Sequence, residues 1–180
     1  TDNMLKITSD GRKLGLDQRI INPMLPDEPG TKVNQCVDNI LQIWRDGQPE
    51  KLTQLVFCDI STPQAAGSKK VAKTLDNPIL HALEQAVPEP EKPLAFTVYE
   101  DIRQKLIAQG MPASQIAFIH EANTEVRKKE LFSKVRSGQV RVLLGSTQKM
   151  GAGTNVQDLL VALHDLDCPW RPGDLAQRKG

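Results

Sequence analysis

Aromatic residues make up only 4% of the chain, and there are three cysteines. A module that grips single strands by stacking bases on rings needs more rings than this. Cys36, Cys58 and Cys168 are odd in number, and no two have Cys-x-x-Cys spacing. That disfavours a disulfide scaffold or a zinc knuckle and fits a reducing, cytoplasmic setting. An excess of either charge is lacking too: 23 Lys and Arg stand against 22 Asp and Glu, a net charge of +1. A strongly basic, non-specific nucleic-acid binder is thereby excluded, but a local basic strip is not. The longest apolar run, at 159–163, is about five residues, far short of the ~18 that span a bilayer. Thr1, Asp2, Asn3 and Met4 carry no basic-then-apolar leader pattern, so no membrane partner is expected. No Gly-x-x-x-x-Gly-Lys-Ser/Thr phosphate loop occurs. His164 and Cys168 alone do not complete a tetrahedral site, so no metal is expected.

What is present is a regular alternation of elements. The 180 residues are 39% hydrophobic, enough for the core of about one domain. Residues 5–22 read as a short helix capped by Ser9 or Asp10, and Pro23, Pro26, Pro29 and Gly30 then break the chain. Thr31 opens a clearer helix with Val33, Cys36, Val37, Ile40, Leu41 and Trp44 on one face, closed at Asp46 and Gly47. Residues 54–60 (QLVFCDI) read as a doubly covered strand. Residues 61–95, bounded by Pro63 and Pro93, read as an insertion lying over the fold, with a helix somewhere in 71–87. Beyond it come a helix at 99–109 stopped by Gly110, a strand at 116–119, and a helix at 124–136 capped by Thr124, with Leu131, Phe132 and Val135 inward. A turn at Ser137 and Gly138, a strand at 140–144, a glycine-bearing loop at 145–155, a strand at 159–166 and a helix from Pro172 complete the order. Strands alternating with helices predict an α/β fold: a mostly parallel sheet covered by helices on both faces.

Three segments carry chemistry. The loop GSTQKMGAGTN follows a strand directly, where ligands of open α/β sheets bind. Gly151 and Gly153 allow close backbone approach, Ser146, Thr147 and Thr154 offer hydroxyls, and Lys149 a charge; an ordinary tight loop also fits. His120 ends another strand. The helix after it carries Arg127, Lys128, Lys129, Lys134 and Arg136, and Arg141 follows; a solvated helix face fits these as well as a binding strip. In the third segment, 165–178, Pro169 and Pro172 bracket a turn, Trp170 packs at the domain edge and Asp174 caps the last helix.

In order and spacing, His120, Arg127, Phe132, Gly138, the 140–144 strand and Thr147 resemble the second RecA-like domain of superfamily 2 helicases. Gly151, Gly153 and Asn155 look like their motif V in the form typical of Swi/Snf-type DNA translocases. Residues 165–177 are similar to the segment entering motif VI, and 54–62 to motif IV. The group most similar is the Swi/Snf-related helicase region of large bacterial, phage and mobile-element proteins that also carry a DNA adenine methylase. Glu121 departs from the pattern, standing where many helicases have Gly.

The resemblance implies a helical lead-in at 1–30 and a second RecA-like lobe at 31–180, with an insertion at about 62–95. The chain then reads as a piece of a larger protein that stops inside motif VI, the finger arginines lying just past Gly180. It implies nucleic-acid contacts from Ser61, Thr62, His120, Arg127, Ser146, Thr147 and Lys149. Gly151, Gly153, Asn155, Gln177 and Arg178 would face an interlobe nucleotide site. ATP and Mg²⁺ would serve the intact parent. Its partners would be DNA, duplex sooner than RNA, an N-terminal RecA-like lobe and a DNA methylase domain. The rival is a non-catalytic RecA-like module docking a methylase or nuclease. A small-molecule enzyme with His120 as base lacks a convincing nucleophile, and a Rossmann binder lacks the third glycine.

Overall fold

The computed structural model describes residues 3–63, 96–150, 155–169 and 171–179. Residues 64–95, Gly151, Gly153, Thr154 and Trp170 lie outside the described residues.

Helix α1 (Met4–Leu16) begins earlier than the sequence pattern indicated. Its cap is Asn3, whose side chain accepts from the Leu5 N–H at 3.1 Å, and neither Ser9 nor Asp10 caps it. It also ends earlier, because Asp17 is extended and its carboxylate accepts from the Arg19 N–H, starting a separate 3₁₀ turn at Gln18–Ile20. Helix α2 (Lys32–Asp46) is capped by Thr31 and buries Val33, Cys36, Val37, Ile40 and Leu41, the predicted apolar face. Strand β1 (Thr53–Phe57) is followed after the insertion by α3 (Val98–Ala108) and β2 (Ile116–Phe118). Then come α4 (Glu125–Arg136), capped by Thr124, and β3 (Val142–Gly145). The four-residue α5 (Thr147–Met150), β4 (Leu160–Asp165) and α6 (Pro172–Lys179) end the chain. Asp174 lies in the first turn of α6, with its N–H bonded to the Arg171 carbonyl, not at the cap.

The strands form one parallel sheet of order β2-β3-β1-β4. Leu55 of β1 stands opposite Leu143 of β3 and Leu163 of β4, and Ala117 of β2 pairs with Leu143. Side chains alternate across a strand, and here both faces are buried. Val56, Cys58, Phe118, Val142 and Leu144 join Leu16 and the apolar sides of α2 and α3 in one core. Leu55, Phe57, Ala117, Ile119 and Leu143 join Val135 of α4 and Met150 in the other, with Leu131 and Phe132 partly buried against it. This is the α/β layer expected of a RecA-like fold, with helices on both faces. β4 is an edge strand and only half-buried.

Two arginines tie the ends of helices to this layer. Arg19 bonds both oxygens of Asp17 and both of Asp101 on α3, and its guanidinium lies 4.5 Å from the Phe96 ring centre. Lys105 of α3 reaches Asp27 at 2.7 Å, so the lead-in is fastened to α3 at two points. Arg141 does not extend the basic strip, as the sequence indicated; it is 2% exposed. Its guanidinium donates to the carbonyls of Leu52 and Gly47, the second at 2.8 Å, just past the end of α2. A positive group is favoured there because the last carbonyls of a helix are unpaired and carry partial negative charge. Replacing Arg141 by Ala strands those acceptors and opens a void. The expected cost is about 2–4 kcal/mol in urea denaturation, against within ~0.5 for a surface substitution.

Candidate functional site

Parallel strands all end on the same side, and the ends of β1, β2 and β3 deliver one rim. After β1 come Asp59, Ser61 and Thr62; after β2, His120; after β3, Ser146 to Lys149. With Asp174 and Gln177 of α6 and Lys128 of α4, all of these except Ser61 line a cleft of about 840 Å³. Its predicted members are Thr62, His120, Ser146, Thr147, Lys149 and Gln177; Asp59, Lys128, Gln148 and Asp174 are additions.

Gly145 brings the arms of the rim together. A Cβ there would sit 2.6 Å from Ile119 Cγ2 and 2.7 Å from Met150 Sδ. The turn bearing His120 can therefore pack directly against the loop bearing Lys149. Glu121 closes that turn: its carboxylate accepts from the Phe118 N–H at 3.3 Å and from Arg103 at 2.6 Å. Arg103 in turn lies 3.6 Å from the Phe118 ring centre. Glu121, the departure from the helicase pattern, thus has a structural reason to be acidic.

Behind the cleft is a buried ionic knot. Arg178, assigned from sequence to an interlobe nucleotide site, has a side chain 0% exposed. Its Nε donates to Thr147 Oγ1 at 2.8 Å, its Nη1 to Asp165 and the Asp167 carbonyl, and its Nη2 to Asp59 and Asp167. All five donors of the guanidinium are used. Burial opposes its charge, but the hydrogen bonds it donates to Asp165 and Asp167 and the charge of Asp59 hold its pKa above the usual value. Asp59 also accepts from the Thr147 N–H and hydroxyl, each at 2.7 Å, and Asp167 from the N–H groups of Asp59 and Ile60. The Thr147 hydroxyl, a predicted nucleic-acid contact, is therefore engaged inside the protein.

Other predicted residues stand apart from the cleft lining. Ser61 has φ +61° and accepts from the Val98 N–H at 3.1 Å, holding the start of α3. The exposed Arg127 lies on α4, where Lys128 reaches the cleft instead. Asn155 is exposed and its carbonyl accepts from Arg136 at 2.8 Å. Gly151 and Gly153 lie outside the described residues. The signal that could have found Asp59 is its position: a lone acid directly after the apolar strand run.

His120 packs edge-on against Tyr99, ring centres 5.3 Å apart, and its Nδ1 is buried with no partner among the described residues. Burial, and then the charge of Lys149, hold the ring's pKa below its usual 6.5. Burial pushes the Cys58 thiol well up, and it donates to the Ile60 carbonyl at 2.8 Å. Among the described residues no hydrogen bond joins His120 to a hydroxyl or thiol, so they assemble no activated nucleophile. Nor do they include a group of three His, Cys, Asp or Glu placed to hold a metal. His164 instead bonds Gln54 Oε1 at 2.8 Å, and Gln54 Nε2 donates to the Ile40 carbonyl, so His164 Nε2 is the donor. No protein-family model matches the chain, and no curated protein matches it.

Two outcomes follow from this geometry. Arg178→Met leaves three carboxylates without their cation and is expected to cost about 3–5 kcal/mol in chemical denaturation. His164, held below 6.5 by burial with Asp165 only partly opposing, resists a proton that the unfolded chain accepts. Its stability contribution is full above 6.5 and declines as the pH falls beneath it. His164→Gln should therefore unfold in urea with a shallower loss of stability between about pH 7 and 5.5 than the parent chain.

Proposed function

We propose that the chain is the second RecA-like lobe of an ATP-dependent DNA translocase of the Swi/Snf-related kind, and that the rim cleft contacts the nucleic-acid backbone. One observation carries the reading. Thr62, His120, Lys149 and Gln177, drawn from separate motifs along the chain, line one cleft at the carboxyl edge of one parallel sheet.

Within the cleft, the side chains of Thr62, Gln148, Lys149 and Gln177 make no hydrogen bond or ion pair among the described residues, which leaves them for a ligand. Hydroxyl, carboxamide and ammonium donors suit phosphate oxygens, and such contacts position a duplex without reading its sequence. The residues present do not fit a complete nucleotide site. The chain has no phosphate loop, and Asp59 is occupied by Arg178 and Thr147 instead of facing a cation. In this reading ATP and Mg²⁺ belong chiefly to a companion lobe, and the present chain supplies backbone grip.

The rival reading, a module that docks a DNA methylase or nuclease, draws on α1, where Met4 is 78% and Leu5 71% exposed, with Ile7 and Leu14 also uncovered. Exposed apolar surface of this kind marks interaction sites.

Fluorescence anisotropy with unrelated duplexes over a KCl series separates the two. The translocase reading expects sequence-independent binding that weakens with salt, and Lys149→Ala is expected to lower the slope of log affinity against log salt by about 0.9. The purified chain is expected to leave ATP intact with or without DNA. Robust hydrolysis, or no DNA binding at low salt, overturns the assignment.

A further inference from the structure

His120 looks at first like a third cation for the cleft, beside Lys128 and Lys149. Its surroundings argue otherwise. The buried Nδ1 has no acceptor among the described residues, so a proton placed there would be an unsatisfied buried donor. An imidazolium requires that proton; the neutral ring with its hydrogen on Nε2 does not. The groups around the ring point the same way. Tyr99 on α3 offers a ring edge, and its hydroxyl is spent on the Cys58 carbonyl. Lys149 on α5 is positive and repels a further charge, while Lys128 on α4 is paired with Glu125 at 3.0 Å. Asp59 after β1 is neutralised by Arg178, and Asp174 on α6 is the remaining acid of the lining. Glu121, next in sequence, is paired with Arg103.

We propose that His120 binds a phosphate oxygen as a neutral donor through Nε2–H, while Lys149 alone of the two supplies charge to that oxygen. This rests on the cleft being a phosphate-binding surface, and it adds a division of labour: the imidazole fixes where the oxygen sits, and the ammonium sets the salt dependence. A ligand with oxygen acceptors but little charge would still engage His120. Binding that relies on a neutral imidazole is level above its ordinary titration range.

The test uses the full chain with two probes, duplex DNA and inorganic tripolyphosphate, and three variants. His120→Phe keeps a flat ring against Tyr99 but removes the donor; His120→Gln restores an N–H near the position of Nε2. His120→Phe is expected to bind DNA about tenfold more weakly with an unchanged salt slope, and His120→Gln to recover most of the loss. Lys149→Ala is expected to change the slope. Nitrogen NMR of the imidazole is expected to show hydrogen on Nε2 alone, before and after tripolyphosphate is added. An imidazolium in the complex, a reduced salt slope in His120→Phe, or undiminished affinity in that variant overturns the proposal. If tripolyphosphate shifts the His120 Nε2 resonance while hydrogen stays on Nε2 alone, but no duplex binds, the neutral-donor assignment stands and the translocase reading falls. If duplex binds and His120→Phe makes no difference, the reverse holds.

Discussion

A single guanidinium holds the functional edge of this molecule in shape. Arg178 reaches from the last helix into the ends of β1 and β4 and the start of α5, and each of its N–H groups finds an oxygen. Charges withdrawn from water are costly unless geometry and hydrogen bonding compensate. Here the compensation is shared: Asp59 and Asp167 return bonds to the backbone and hydroxyl of the very loops that Arg178 braces. The knot sits directly behind the cleft, so the cleft's floor is fixed before any ligand arrives. Pre-set donors lose little freedom on binding.

The opposite end of the sheet solves a similar problem with different partners. Arg141 is as deeply inside as Arg178 but meets only carbonyls. Burial lowers its pKa, whereas carboxylates raise that of Arg178. One arginine is a cap on a helix end and the other a node in an ionic network, and their identical chemistry in the sequence conceals this.

The period of apolar residues made most of the architecture readable. The faces of α2 and α4, the caps Thr31 and Thr124 and the parallel sheet of an alternating chain follow from spacing and local hydrogen bonds. Errors fell where a local competitor acted. Asp17 ends α1 early because its carboxylate serves the next turn, and the pattern alone carries no sign of that. The cleft's outline was legible because its predicted members follow strands. Its interior was not: Asp59 and Thr147 are 88 residues apart, and Asp59 and Arg178 are 119 apart. Bonds over such separations have no trace in periodicity. Arg127 is exposed while its neighbour Lys128 lines the cleft, a one-position difference that a run of positive charges does not resolve.

The crowding at Gly145 has a consequence for how this surface can vary. Ile119 and Met150 both lean on the space where a side chain would be, one leading to the imidazole and the other to the ammonium. A methyl group inserted there would wedge both outward together. The spacing between these two cleft-lining groups is thus heritable through a single codon, and drift at the exposed positions of the rim can retune its chemistry without altering its gauge.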